Sequence, residues 1–351
     1  MRRGWGVAAA CALACGSQPP PVRSRVEAPV EAKVDASPGE SQASGVVDLH
    51  VDLPYALLHH ALGDAQASPA RLERGGVSVI VAPLFVRGAY AMHPPDVRTA
   101  YEAAYTRLLA SGVPKITTAW LSLEGADGFA DEQGLTALDG WMARGVCLVG
   151  LVHDHSNALG GASQDPSPDA RARGLSELGK RIAAHVVARG GLLDVAHASD
   201  ATFDDLAAIA LAAHAPLVDS HTGMRALRAT MRNIDDGQVR VVAASGGVVG
   251  MSVHGGHIGK TPGEHPTLAD VADHVVHALA VAGPEHVAIG SDFDGSIDPP
   301  ADADGESVWP ALRRELAARG LDARVIDAIF SGNARRVFAF AKGHGCDAGA
   351  R

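Results

Sequence analysis

The chain has 351 residues, 47% of them apolar and 20% charged, with a formal net charge of −10. That is enough material for a full core, so folding needs no disulfide or metal staple. The acidic balance and the lack of any Lys/Arg cluster exclude a nucleic-acid surface, which has to match a phosphate backbone with grouped cations.

From the amino terminus, Arg2 and Arg3 form a positive segment and residues 4–14 a short apolar one. Ala12-Leu13-Ala14-Cys15-Gly16 then supplies small residues at a cleavage point. The apolar stretch is too short to span a bilayer, so residues 1–15 are expected to be a signal peptide. Cys15 resembles the lipid-bearing cysteine of a bacterial lipobox, with Ala12 where Leu is usual. Residues 16–45 hold Pro19-Pro20-Pro21, Pro29 and Pro38 among Ser, Ala, Glu and Lys, and read as a disordered tether. The expectation is an exported protein, held to the membrane by a lipid anchor and facing the periplasm or the cell exterior.

Eight short apolar runs follow, at 46–50, 77–85, 116–124, 146–152, 191–196, 216–220, 247–253 and 286–291. Most are apolar on successive residues, as strands buried on both faces are. Helical stretches lie between them, at 94–110, 134–143, 175–188, 201–213, 238–244 and 268–282. Two open on cap signals: Ser199-Asp200 before Ala201, and Thr267 with Asp270 three positions on. Strand and helix alternating eight times predicts an α/β fold, a single-domain (β/α)₈ TIM-type barrel over residues 46–342. Helices at 309–319, 322–330 and 333–342 close it, and 343–351 is left as a tail. A doubly wound sheet would gather its ligands at one switch point, and here they are spread over many strands. Cys147, in an apolar strand, and Cys346, in the Gly-rich tail, make no disulfide framework and are expected to be bystanders.

The strand ends carry the chemistry. His50 and Asp52, Glu124, His197, His221 and Asp292 each close one of the apolar runs. Side chains at i and i+2 share a face, so His50-x-Asp52 presents two ligands together. Glu124 can bridge two ions with its two oxygens, and His197 and His221 on adjacent strands would complete the second ion's shell. This mixture of imidazole and carboxylate suits Zn²⁺ or a similar divalent ion. A pair of such ions polarises a carbonyl and lowers the pKa of water. Asp292 on the last strand is placed to move that water's proton to the leaving group. Any one of these residues has a bland reading as a structural histidine or a helix cap; their joint position at one end of successive strands outweighs it. The chain reads as an amidohydrolase-like metallohydrolase.

Asp48-Leu49-His50-Val51-Asp52-Leu53-Pro54 resembles the D-G-H-N-D-L-P signature of the membrane dipeptidase (renal dipeptidase) family of zinc peptidases. The resemblance continues through Leu123-Glu124-Gly125, Asp194-Val195-Ala196-His197, Ser220-His221, Met231-Arg232-Asn233, Gly290-Ser291-Asp292-Phe293-Asp294-Gly295 and Ser331-Gly332-Asn333. It implies a zinc-dependent dipeptidase with two Zn²⁺ ions per chain. His50 and Asp52 would hold the first, His197 and His221 the second, with Glu124 bridging and Asp292 handling the proton. It also implies that His153 contacts the substrate near the reacting carbonyl and that Arg232 grips its terminal carboxylate, a task suited to a planar guanidinium. His155 lies beside His153, and the family register selects His153. Where the family's seventh strand ends in an Asn-Phe-aromatic run, this chain reads Ser252-Val253-His254-Gly255-Gly256-His257, whose histidines are expected in an exposed loop. Asp294 is expected to orient the strand end. The partners expected are a dipeptide, the membrane through the anchor, and a second copy in a homodimer.

Two other functions compete. Another barrel amidohydrolase, a deaminase or lactonase, would open on His-x-His, whereas position 52 is Asp. A non-catalytic substrate-binding lipoprotein would have lost a ligand or the base, and none is missing.

Overall fold

The computed structural model describes residues 45–261 and 265–349, so the expected signal peptide and nearly all of the expected tether lie outside the described residues. Eight parallel strands close into a barrel in sequence order: β1 Val46–Asp48, β2 Val77–Leu84, β3 Thr118–Leu123, β4 Val146–Gly150, β5 Leu192–Asp194, β6 Leu217–Thr222, β7 Val248–Met251 and β8 Val287–Ile289. Closure is made where Asp48 pairs with Ile289. The strands are buried along almost their whole length, because helices cover the outer face and side chains fill the interior. The expected α/β barrel is the observed fold.

The helices also fall close to the expected positions. Ser199 caps Asp200–Ala212 by accepting from the Thr202 N–H, and Thr267 with Asp270 forms a capping box on Leu268–Ala282. The stretch expected as one helix at 322–330 is instead a short helix, Ala323–Asp327, running into a wide π turn, Ala328–Gly332. That turn feeds Asn333–Gly343, whose Phe338 stacks on Trp120 with ring centroids 4.3 Å apart. No helix among the described residues is long and apolar enough to cross a membrane.

The two cysteines are not bystanders. Cys147 in β4 and Cys346 form a disulfide with a Cα separation of 5.7 Å. The last helix carries the chain back under the barrel, where Gly349 packs on Gly145 and His344 on Gly190, so the tail passes directly beneath β4. A separation of 199 residues hides this proximity from any local reading.

Candidate metal centre

His50, Asp52, Glu124, His197, His221 and Asp292 converge at the carboxyl ends of the strands, and all six are buried. His50 Nε2 lies 3.5 Å from Asp52 Oδ1 and 3.4 Å from Glu124 Oε1. His197 Nε2 lies 3.0 Å from the same Glu124 oxygen and 3.1 Å from His221 Nε2, which is itself 3.5 Å from Glu124 Oε1. Ligands about 2.0–2.1 Å from a tetrahedral Zn²⁺ stand about 3.3–3.4 Å from one another. The observed separations are of that size. His50 Nε2 and Asp52 Oδ1 are moreover buried with no hydrogen-bond partner, a cost that a shared cation removes. Three overlapping sets could hold an ion: His50, Asp52 and Glu124; Glu124, His153 and His197; His50, His221 and Asp292. The donors fit a divalent metal.

Local structure holds these groups in place. Asp48 Oδ1 accepts the N–H groups of His50 and Ser291, at 3.0 and 2.8 Å, which ties the ends of β1 and β8 together. Asp194 Oδ1 does the same for Ala196 and Ser220, both at 3.0 Å. Neither aspartate was singled out from the sequence. The signal was there, since each stands within an apolar run two or three residues before a candidate ligand. His197 and Asp292 adopt left-handed backbone, at φ 63° and 70°, and Asp294 and Ser296 do likewise. Such conformations cost non-glycine residues free energy and gather at functional sites. A Cβ on Gly295 would stand 2.4 Å from Asp52 Oδ2 and 2.6 Å from Asp292 Oδ1, so only glycine leaves room for both carboxylates.

Electrostatics separate the groups by role. Burial alone would raise Glu124, but His153 and His50 outweigh it and hold the carboxylate well below the usual range. Burial pushes Asp292 well above that range, reinforced by the neighbouring Asp52 carboxylate. Burial, helped by the charges of Arg232 and His153, lowers His197 to about 3. His221 is likewise lowered, by burial and by His50. Both histidines thus stay neutral, whereas burial at His50 is outweighed by Glu124 and Asp52, which raise it well above the usual value.

A cleft of about 180 Å³ opens over this centre, walled by Phe85, Arg87, His153, Gln164, His254 and His257 along with the metal-site residues. His153 Nε2 stands 3.7 Å from Glu124 Oε2, while His155 turns away to stack on Tyr90 at 4.2 Å. Arg232 is buried: its Nη2 donates to the His221 carbonyl at 2.8 Å, its Nε has no partner, and it forms no ion pair among the described residues. His254 and His257 differ from expectation. The Gly255–Gly256 pair lets the chain coil into a short helix, Gly255–Ile258, that turns both rings to the cleft and buries His257. Neither joins a metal-binding set among the described residues. Asp294 accepts the N–H groups of Gln66 and Ala67 at 2.7 and 3.0 Å, and so orients the loops around the mouth.

A closed (β/α)₈ barrel with an imidazole and carboxylate cation site in its mouth places the protein in the class of amidohydrolase-like metalloproteins. Within that class, the sequence profile described as membrane dipeptidase (Peptidase family M19) matches residues 41–344, and the chain belongs to that family. It is 34% identical over 221 residues to an uncharacterized protein in the pqqA 5′ region of Klebsiella pneumoniae, covering 61% of this chain and 79% of that protein. It is 31% identical over 193 residues to dipeptidase aclJ of Aspergillus oryzae, covering 55% of this chain and 44% of that one. Against that fungal relative and an uncharacterized dipeptidase of Schizosaccharomyces pombe, the match spans 44% of each relative's length. Among solved structures, dipeptidase AC superposes with a TM-score of 0.73 at 22% identity, over 87% of this chain and all of that one. A Rhodobacter sphaeroides metallopeptidase, liganded with a phosphinate mimic of L-Ala-D-Ala, gives 0.72 at 21%, over 85% and 98%. At these identities the structures speak for the shared fold.

Proposed function

We propose that this protein is a zinc-dependent dipeptidase. The observation that carries the reading is Arg232: a buried guanidinium with no ion-pair partner among the described residues, next to a candidate cation site. An unpaired buried charge is costly unless a ligand completes it. A substrate's terminal carboxylate does so, and the distance from there to the metal centre then sets the length of the peptide. His50 and Asp52 would hold one Zn²⁺ and His197 and His221 the other, with Glu124 shared between them. Bound zinc supplies Lewis acidity towards the scissile carbonyl and acidifies water. Asp292 takes the proton from the attacking water and delivers it to the leaving nitrogen. The burial and the Asp52 charge that raise its affinity for a proton suit that holding role. His153, on the cleft wall beside Glu124, contacts the substrate near the reacting carbonyl.

We also place the protein outside the cytoplasm, anchored through a lipid on Cys15. The Cys147–Cys346 disulfide supports export, since such bonds persist in oxidising compartments. Wild-type protein that carries no acyl mass, or whose mature amino terminus lies elsewhere than Cys15, would refute the anchor.

The test of the dipeptidase reading is a panel of L,L and L,D dipeptides assayed as free acids and as amides. Cleavage of free acids with poor cleavage of the matching amides is expected. Equal cleavage of both would make the enzyme a general amidase and leave Arg232 without a substrate role.

A further inference from the structure

Ser220 sits on β6, fully buried, one residue before the ligand His221. Its Oγ lies 2.9 Å from His221 Nδ1 and 3.2 Å from His50 Nδ1, the latter reached from the other side of the barrel. The Ser220 N–H is held in turn by Asp194 Oδ1, which accepts it at 3.0 Å. The two rings pack with centroids 3.7 Å apart, and both turn Nε2 towards Glu124 Oε1. Two glycines make this approach feasible: a Cβ on Gly250 or Gly290 would stand 2.1 or 1.7 Å from the Ser220 carbonyl oxygen.

Proton counting leaves one arrangement. A neutral imidazole that gives its Nε2 lone pair to a cation carries its proton on Nδ1. Two Nδ1–H donors therefore meet one oxygen, which has two lone pairs and one proton of its own. The lone pairs accept from His50 and His221. The two rings serve different ions in the two-zinc reading on which this inference rests, so one hydroxyl orients a ligand of each.

We propose that Ser220 is a positioning residue shared by both halves of the metal centre, accepting Nδ1–H from His50 and from His221. Losing the hydroxyl then weakens both ions together. The experiment titrates Co²⁺ into metal-stripped full-length wild type and Ser220→Ala in competition with a chelator, reading visible absorption and bound-metal stoichiometry. Loss of a carboxylate or carbonyl partner behind a ligating histidine lowers metal affinity by roughly 10–100-fold. A fall of that order is expected at both binding steps, with recovery in Ser220→Thr and with urea unfolding of the metal-free variant close to wild type. A fall at one step alone, or at neither, overturns the proposal. A wild type that binds a single Co²⁺ defeats the two-ion reading itself, and that result appears before any variant is made. Should Ser220→Ala not fold, ¹⁵N spectra of histidine-labelled, Zn²⁺-loaded wild type give the answer. Nδ1 protons on both His50 and His221, slow to exchange, support the hub; an unprotonated Nδ1 on either overturns it.

Discussion

At the floor of the barrel the turns entering β4 and β5 are covered by the returning carboxyl-terminal segment, with Cys346 bonded to Cys147 and Gly349 set against Gly145. At the mouth, beyond the other ends of the barrel strands, His50 Nε2, Asp52 Oδ1, His197 Nδ1, Arg232 Nε and His257 Nδ1 are buried without hydrogen-bond partners. There too, His197, Asp292, Asp294 and Ser296 hold left-handed backbone, which the floor tolerates mainly at glycines such as Gly145 and Gly190. One end is closed by covalent and apolar contacts; the other keeps strained and unpaired groups that a cation and a charged substrate would satisfy. Barrels of this kind separate stability from chemistry along the strand axis.

If that separation is real, changes at the mouth should alter catalysis more than folding, and changes at the floor the reverse. The largest effect on kcat is expected from Asp292→Asn, which should reduce it by roughly 10²-fold or more with the bound metal retained. Steady-state kinetics beside elemental analysis checks this; a variant that loses metal instead would make Asp292 a ligand. Arg232→Met should cost about 2–5 kcal/mol in kcat/KM for a free dipeptide and hardly change the rate on its amide. Equal losses on both substrates would return Arg232 to a purely structural role.

The floor provides the converse case. Replacing Cys147 and Cys346 together by Ala should lower folding stability by about 2–4 kcal/mol in urea titrations, with kcat/KM unchanged once the protein is folded. A clear catalytic defect would break the comparison. The smallest effect sharpens it at the lip of the mouth. His274 accepts the Met224 N–H at 2.8 Å, and burial lowers its pKa from 6.5 to about 4. The folded state therefore binds this proton less readily than the unfolded one. The stability it contributes is present above pH 6.5 and is lost as pH falls towards 4. Between pH 7.5 and 5.5 the metal-free protein should lose about 1 kcal/mol on this account, and His274→Gln should flatten that part of the profile.

Much of this was legible in the sequence, for identifiable reasons. Parallel strands buried on both faces leave continuous apolar runs, so all eight could be placed, and a ligand that closes a strand is marked by where its run ends. Glu124 after Leu123 and His221 after Ser220 are of this kind. Contacts between distant segments leave no such mark. Nothing near Cys147 foretells Cys346, and Ser220 reads as an ordinary strand serine until His50 is brought beside it. His257 was misplaced because two glycines look like an open loop, whereas here they permit a tight coil into the cleft. The left-handed backbone of His197 and Asp292 is set by the packing of the mouth, and no local residue preference announces it.

The central claim is that His50, Asp52, Glu124, His197 and His221 form a metal centre on which peptide hydrolysis depends. The direct measurement strips the full-length protein of metal, titrates Zn²⁺ back, and follows dipeptide hydrolysis and bound zinc on the same samples. The account predicts no hydrolysis without metal and activity that rises to its maximum as the second ion per chain is taken up. Full activity in protein shown by elemental analysis to hold no transition metal would contradict it.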